Sequence, residues 1–454
     1  MSVIIIGAGE VGFHIASRLS KENRDVVLIE KDENVIRRIA DNLDVQIIHG
    51  NGGSPVVLKK AGIGSSEILI AVTNSDEVNM VACIIADSQF HVPIKVARIR
   101  DSEYEKLYSK EGKDGLHIDF AINPERESVL DILNLLDVPE ATYVRDFAEG
   151  KVRLVGFRIR EELPITNRKL IDIMKDYPDK KFLIAAISRG ASTIIPHGKD
   201  VVLSGDHVFF VSQPKYMPIL LKIINKEGLR TRRVVIFGGG NIGFSLARKL
   251  EKRGINTKII EEDSERCAFL SQSLENTVIL HGNGADQELL KEGGIKDTDA
   301  FIGVSDDDEA NVLVSLFAKR MGAKRVMAKL NNLSYLQLVS TLGIDVVISP
   351  RLSAVSSILH FIRKGRVLSV KEVGGEDAEA IEVIAMETSD LVNKPLKHIK
   401  FPSGSLVVTV VRDEEVIIPS GDTVIRPGDR VVLFSLKSSI PKVEKIVTVK
   451  LEYF

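Results

Sequence analysis

A stretch of ten residues written twice governs how this chain can fold. Val3-Ile4-Ile5-Ile6-Gly7-Ala8-Gly9-Glu10-Val11-Gly12 is answered by Val234-Val235-Ile236-Phe237-Gly238-Gly239-Gly240-Asn241-Ile242-Gly243. In each copy a β-branched run ends in G-x-G-x-x-G and passes into a helical pattern. That is the order of a strand, a tight turn and a helix N-terminus facing phosphate. The first glycine permits the turn, the second lets the backbone approach a pyrophosphate, and the third brings helix and strand together. The helix start adds unpaired amide donors and the positive end of a dipole.

The repetition extends far beyond the glycines. Glu30 returns as Glu261, and His49-Gly50-Asn51-Gly52 as His281-Gly282-Asn283-Gly284. Thr73, Asp76, Glu77 and Asn79 return as Ser305, Asp308, Glu309 and Asn311, Arg98 as Lys329, and Asn123-Pro124 as Ser349-Pro350. Further on, Arg189, Pro196 and Gly205-Asp206 match Arg412, Pro419 and Gly428-Asp429. The chain is a tandem duplication of a two-lobe unit.

Alternation of short apolar runs with helical patterns predicts strands at Val3 to Ile6, Val26 to Glu30, Val45 to His49, Ile68 to Val72, Lys95 to Arg98 and Phe120 to Ile122. Val78, Val81, Ala82 and Ile85 recur at helical spacing, which puts them on one face. Such β-α alternation requires crossover helices on both faces of a parallel sheet. Pro124 then opens a helix with an apolar stripe of Val129, Leu130, Leu133 and Leu136, free to pack on its own lobe or on another subunit. Beyond it, short strands are expected at Val152 to Ile159, Phe182 to Ser188, Ser192 to Pro196 and Val208 to Val211. The fold class is therefore α/β: two Rossmann-like doubly wound parallel-sheet lobes, each followed by a small α+β lobe. The expected boundaries are 1–124 and 232–350 for the nucleotide lobes, with 125–228 and 351–454 each holding a crossover helix and a small lobe. At 454 residues the chain is long enough for several independent cores.

Glu30 and Glu261 close the second strand of each repeat, where this fold presents a carboxylate to ribose hydroxyls. A 2′-phosphate there meets like charge, which favours NAD(H) over NADP(H); ATP and ADP carry the same free hydroxyl. In the first lobe the ligand-facing candidates are Gly7, Ala8, Gly9, Glu10, Val11, Gly12, Glu30, Asn51, Thr73, Asp76, Asn79 and Arg98. In the second they are Gly238, Gly239, Gly240, Asn241, Ile242, Gly243, Glu261, Asn283, Ser305, Asp308, Asn311 and Lys329. Arg98 and Lys329, at the ends of fifth strands, can neutralise phosphate. The four asparagines can equally cap a turn or a helix. His49 and His281 are expected to brace loops, and Asp206 and Asp429 to serve turns.

With 61 basic and 63 acidic residues, no global field draws the chain to nucleic acid or an anionic bilayer. Cys83 and Cys267 form neither a disulfide framework nor a zinc site, so they read as small core residues in a reducing, cytoplasmic setting. Nowhere do about 18 apolar residues run together to span a bilayer, so membrane association would have to come through a partner.

On the glycine motif with Glu30, His49 through Gly52, Thr73 through Asn79, Ala97-Arg98, the Gly205-Asp206 turn and their second-half counterparts, the chain resembles the cytoplasmic regulatory subunits of Trk-type potassium uptake systems, the TrkA family. The likeness implies two RCK (KTN) units, each with a nucleotide lobe and a C-terminal lobe, and NAD(H) and adenine nucleotides as competing ligands. It also implies a homo-oligomer, a dimer or tetramer forming a ring, docked under a TrkH- or TrkG-like potassium-translocating membrane subunit. The second motif departs from the pattern at Gly239 and at Asn241, which stands where the first has Glu10.

The rival classes are an NAD-dependent oxidoreductase and an NAD-binding sensor serving another transporter. A dehydrogenase needs a proton donor near the nicotinamide and a substrate domain, yet the same small lobe follows each nucleotide lobe. Tyr177 and Lys181 have a reductase-like spacing, but Pro178 lies between them. None of Gly112-Lys113, Gly150-Lys151 and Gly198-Lys199 continues into Ser or Thr, so a P-loop is not expected. Catalysis is therefore not expected, and no metal is called for.

Overall fold

The structure, a computed structural model, describes residues 2–21, 24–104, 118–178, 182–190, 192–225, 230–362, 367–373 and 378–447. Gly112-Lys113, Lys181 and the first residues of the linker at 226–229 lie outside the described residues. The chain divides into two compact units, 1–128 with 349–362, and 129–348 with 363–454.

The first unit holds a six-stranded parallel sheet. Its spatial order is Gln46–His49, Asp25–Glu30, Ser2–Ile6, Ile68–Ala71, Ile94–Arg98, Phe120–Ile122, the 3-2-1-4-5-6 order of a dinucleotide-binding sheet. The central strand carries the motif's Val3, Ile4, Ile5 and Ile6, each at most 1% exposed because helices cover both faces. All six strands fall where the β-branched runs predict them.

One helix buries a face other than the one its apolar spacing marks. In Asp76–Ser88 the buried positions are Asp76, Asn79, Met80, Ala82, Cys83 and Ala86, while Val81 is 44% exposed. Asn79 causes this, because its buried amide accepts from Thr73 N and Oγ1 and donates to Thr73 O and Arg98 O. A fully bonded buried amide fixes the helix rotation against the apolar count, since leaving it unpaired would cost about 1–3 kcal/mol. Cys83 lies beside it, fully buried, its thiol pushed up to about 12 by desolvation.

The helix Pro350–Ile362 belongs to the second half of the sequence, yet it seats on the first nucleotide lobe. Ala354, Ile358 and Leu359 pack with Val11, Ile15 and Leu19, and Phe361 stacks on Phe120 at 4.6 Å. The first exit helix, Pro124–Asp137, makes the reciprocal move. Its Val129, Ile132, Leu133 and Leu136 join the core formed with Val234, Ile236, Ile242 and Leu246 of the second nucleotide lobe. For Pro124–Asp137 this is not the own-lobe seat its stripe allowed. Duplication made the two lobes' apolar seats alike, so each half's helix fits the other half's lobe.

The second unit repeats the parallel sheet in the order Val278–His281, Asn256–Glu261, Arg233–Phe237, Ala300–Gly303, Val326–Lys329, Val346–Ile348. It also contains both small lobes, each with a five-stranded antiparallel sheet. The first runs Ser192–Ile194, Phe182–Arg189, His207–Ser212, Val152–Arg158, Ala141–Phe147. Ala141–Phe147 escapes a periodicity search because a register shift between Ala141 and Tyr143 breaks its alternation. Phe147, Leu154, Phe209 and Val211 pack with Ala380, Val408, Val432 and Phe434, so the two small-lobe sheets share one core.

Asp206 and Asp429 do more than serve turns. Asp206, 1% exposed, takes both Nε and Nη2 of Arg189 at 2.7 Å and accepts the Leu203 amide. Arg412 and Asp429 repeat the pair.

Candidate nucleotide-binding clefts

Each glycine of the first motif has its own geometric ground. Gly7 has φ +91, and a Cβ there would lie 2.9 Å from Thr73 N. A Cβ on Gly12 would lie 1.9 Å from Gly7 O, which only glycine tolerates. A Cβ on Gly9 would meet nothing within 4 Å. No protein atom demands glycine at position 9; the space it leaves open faces outward, just ahead of the helix Glu10–Lys21.

Glu30 is folded onto this loop. Its Oε2 accepts the Ala8 amide at 2.7 Å, and its Oε1 accepts those of Lys31 and Asp32 at 2.7 and 3.0 Å. The carboxylate thus holds the loop's shape while standing at the end of its strand. Asn51 Oδ1 accepts the Gly53 amide, an Asx turn. His49 Nε2 meets Lys31 O at 3.0 Å, the loop brace expected of it.

These loops enclose a cavity of about 490 Å³, lined by the predicted Gly7, Gly9, Glu30, Asn51 and Thr73. Asp32, Val35, Asn74, Ser75 and Val78 also line it, and sequence reasoning missed them. Asn74 and Ser75 lie inside the repeated Thr73-to-Asn79 segment and were findable there; Val35 had no motif to mark it. Ala8, Glu10, Val11, Gly12, Asp76, Asn79 and Arg98 stand around the cavity instead of lining it. Asp76 accepts the amides of Arg100 and Asp101. Half-buried Arg98 donates to Asn74 Oδ1 at 3.2 Å, and burial, then the neighbouring Arg100, lowers its pKa.

Glu10 stands at the start of the motif helix beside one imidazole and two guanidinium groups. His14, Arg38 and Arg351 lie 3.9, 3.7 and 3.8 Å from its carboxylate. Asn241, the second-half counterpart, is exposed and uncharged.

The second cleft keeps the frame and changes the lining. Gly238 and Gly243 repeat the close approaches of Gly7 and Gly12, Gly240 repeats the open position of Gly9, and Ile242 is buried as Val11 is. Glu261 accepts Gly239 N at 2.6 Å, Asn283 accepts Ala285 N, and Asn311 bonds Ser305 N and Oγ. Asp308 takes three bonds from Asn331 and Asn332. Lys329, 4% exposed, pairs with Asp306 at 2.9 Å.

Gly239 has a local reason: a Cβ there would lie 2.4 Å from Leu270 Cδ1. Arg266 donates to Gly239 O at 2.7 Å, and its guanidinium lies 4.6 Å over the Phe269 ring. The repeat offset puts Arg266 where the first half has Val35, a cavity-lining residue. The second glycine loop therefore carries a cation beside it where the first carries an apolar side chain. Among the described residues no group of three or more His, Cys, Asp or Glu could hold a metal ion, and no helix is long and apolar enough to cross a membrane.

A family model described as the TrkA-N domain matches residues 3–124 and 234–350, and one described as the TrkA-C domain matches 380–448. The chain is 39% identical over 458 residues to the Trk system potassium uptake protein TrkA of Azorhizobium caulinodans, with 100% of both chains covered. It is 38% identical over 458 residues to that of Halomonas elongata, again with 100% of both covered. Among solved structures, the GsuK RCK domain superposes with a TM-score of 0.61 at 15% identity, covering 98% of this chain and 94% of that one. The GsuK channel bound to NAD gives 0.62 at 15% identity, covering 98% and 78%. At that identity the likeness to the solved structures concerns the fold.

Proposed function

The chain belongs to the TrkA family of Trk potassium-uptake proteins, and on that premise we propose that it is the cytoplasmic regulatory subunit that gates a membrane potassium-translocating partner in response to nucleotide. The lobes are taken as 1–124 and 232–350 for nucleotide, with 125–228 and 351–454 as exit helix and small lobe. The observation that carries the reading is the open space above Gly9, flanked by Glu30 and a helix start, in a chain whose second half rebuilds the same frame. NAD(H) is the proposed ligand of the first cleft, with ATP or ADP sharing its adenosine contacts. NAD in the GsuK channel supports this choice.

Gating follows from linkage, without a chemical step. A nucleotide that binds one arrangement of lobes better than another shifts their equilibrium by that difference in affinity. An assembled ring of chains, a dimer or tetramer around a TrkH- or TrkG-like subunit, passes the shift on.

Calorimetric titration of NADH, NAD, ATP, ADP and NADPH into wild type and Glu30→Ala tests the ligand. Potassium flux through the reconstituted partner tests gating. Equal affinity for NADH and NADPH sinks the ribose argument, and flux indifferent to every nucleotide sinks the gating one.

A further inference from the structure

We propose that the second unit carries a separate binding site for a small phosphate ester, in a cavity where the first small lobe meets the second nucleotide lobe. The cavity holds about 300 Å³, the lower end of the range for small-molecule sites. Five cationic side chains line it, Arg158, Arg160, Lys319, Lys324 and Arg325, against three carboxylates, Glu140, Glu162 and Asp345.

Three of the five cations are already paired. Arg160 meets Glu140 at 3.3 Å, Lys319 meets Asp345 at 2.6 Å, and Lys324 meets Asp299 at 2.8 Å. Arg158 has no ion pair among the described residues. Arg325, 8% exposed, is held by two main-chain carbonyls, Leu135 O and Ala141 O, and by no carboxylate within ion-pair distance among the described residues. A buried guanidinium has five donors and two carbonyls do not fill them, while Asp345 and Glu140 act on its charge only from beyond ion-pair distance. His207, beside Arg158, is held neutral by burial and adds no charge.

With Glu140 and Asp345 engaged by Arg160 and Lys319, Glu162 is, among the described residues, the one lining carboxylate left against the two guanidinium groups of Arg158 and Arg325, so the lining carries net positive charge. Paired guanidinium groups suit the planar, multidentate recognition of a phosphate dianion. Phe157, Leu163, Ile224 and Ile344 form an apolar wall that inorganic phosphate alone would leave uncovered. A phosphate monoester with a short organic tail matches both.

Its placement separates this site from the glycine clefts. Lys324 and Arg325 lead into Val326–Lys329, and Asp345 leads into Val346–Ile348, so the cavity opens at the amino edge of the sheet. The glycine loop follows the carboxyl end of Arg233–Phe237, at the other edge. A ligand here binds without competing with nucleotide in that cleft, and ties Val152–Arg158 to the nucleotide sheet.

The test is calorimetry of the full chain with glycerol 3-phosphate, inorganic phosphate and glycerol, repeated on Arg158→Glu and on Gly9→Val/Gly240→Val. Arg158 is exposed, so its variant keeps the fold, checked by an unchanged melting temperature. The expected result is that the ester binds more tightly than phosphate, that glycerol does not bind, and that Arg158→Glu weakens the ester about tenfold or more. The double glycine variant should retain that binding. Equal affinity in wild type and Arg158→Glu, loss of binding in the glycine variant, or no binding of either phosphate compound at millimolar concentration overturns the proposal.

Discussion

Arg351, encoded by the second half of the chain, holds its guanidinium 3.8 Å from Glu10 at the first glycine loop. The helix Pro350–Ile362 delivers it there. In the proposed binding mode a nucleotide's phosphates approach the same helix start, where Glu10 would oppose them and Arg351 would offset Glu10. Arg351→Ala should weaken NADH binding at the first cleft by about two- to fivefold, the scale of a part-exposed pair worth under about 1 kcal/mol. The loss should shrink as salt rises. Calorimetry in low and high salt checks this, and an affinity unchanged at both would refute it.

Gly9 and Gly12 should separate binding from folding. Gly9→Val places its side chain in open space, so thermal unfolding should stay near wild type while nucleotide affinity at the first cleft falls at least about tenfold. Gly12→Ala drives a Cβ to 1.9 Å from Gly7 O, and should cost about 2 kcal/mol or more. A Gly9→Val protein that binds normally would mean that the space above the loop is not where the ligand lies.

The Arg189 and Asp206 pair should matter for stability alone. Arg189→Ala leaves Asp206 buried with the Leu203 amide as a partner. Breaking a buried pair costs about 3–5 kcal/mol, but Arg189 is 39% exposed, and solvent screening brings the expectation down to about 2 kcal/mol. Denaturant unfolding measures it, with nucleotide binding unaffected. A wild-type midpoint in Arg189→Ala would show that the pair is ornamental.

Acid should destabilise the first small lobe through His207. Burial, reinforced by Arg158, lowers its pKa from 6.5 to about 4. Folding therefore disfavours the protonated form. Stability is intact above the unfolded value and is lost as pH falls from 6.5 toward about 4, at up to about 1.4 kcal/mol per pH unit. Below the folded value the loss is complete. His207→Gln should flatten this part of the stability profile, so the difference between wild type and variant isolates one proton. A variant whose profile runs parallel to wild type across that window would exclude His207 as the cause.

The sequence made the parallel sheets legible because their strands are unbroken β-branched runs buried on both faces. The glycine loops were legible because turn, close approach and open space each demand a residue type. The rotation of Asp76–Ser88 was hidden, since nothing in periodicity says that Asn79 will outrank Val81 for the interior. Ala141–Phe147 was hidden by its register shift. Arg266 was visible only as a mismatch with Val35, which acquires meaning once Gly239 O is seen accepting its Nε. The seat of each exit helix could not be read at all, because an apolar stripe specifies a surface and two equivalent surfaces were on offer.

That exchange of helices makes the two halves dependent on each other. A half expressed by itself would bear an exposed apolar stripe and an empty seat of the kind that stripe fills, so its simplest remedy is to pair with another copy by trading helices. Joined in one polypeptide, the trade becomes intramolecular and its completion no longer depends on protein concentration. Once the partnership cannot dissociate, the two clefts are free to diverge, and Glu10 facing Arg351 in one half while Asn241 stands uncharged in the other is what such divergence leaves behind.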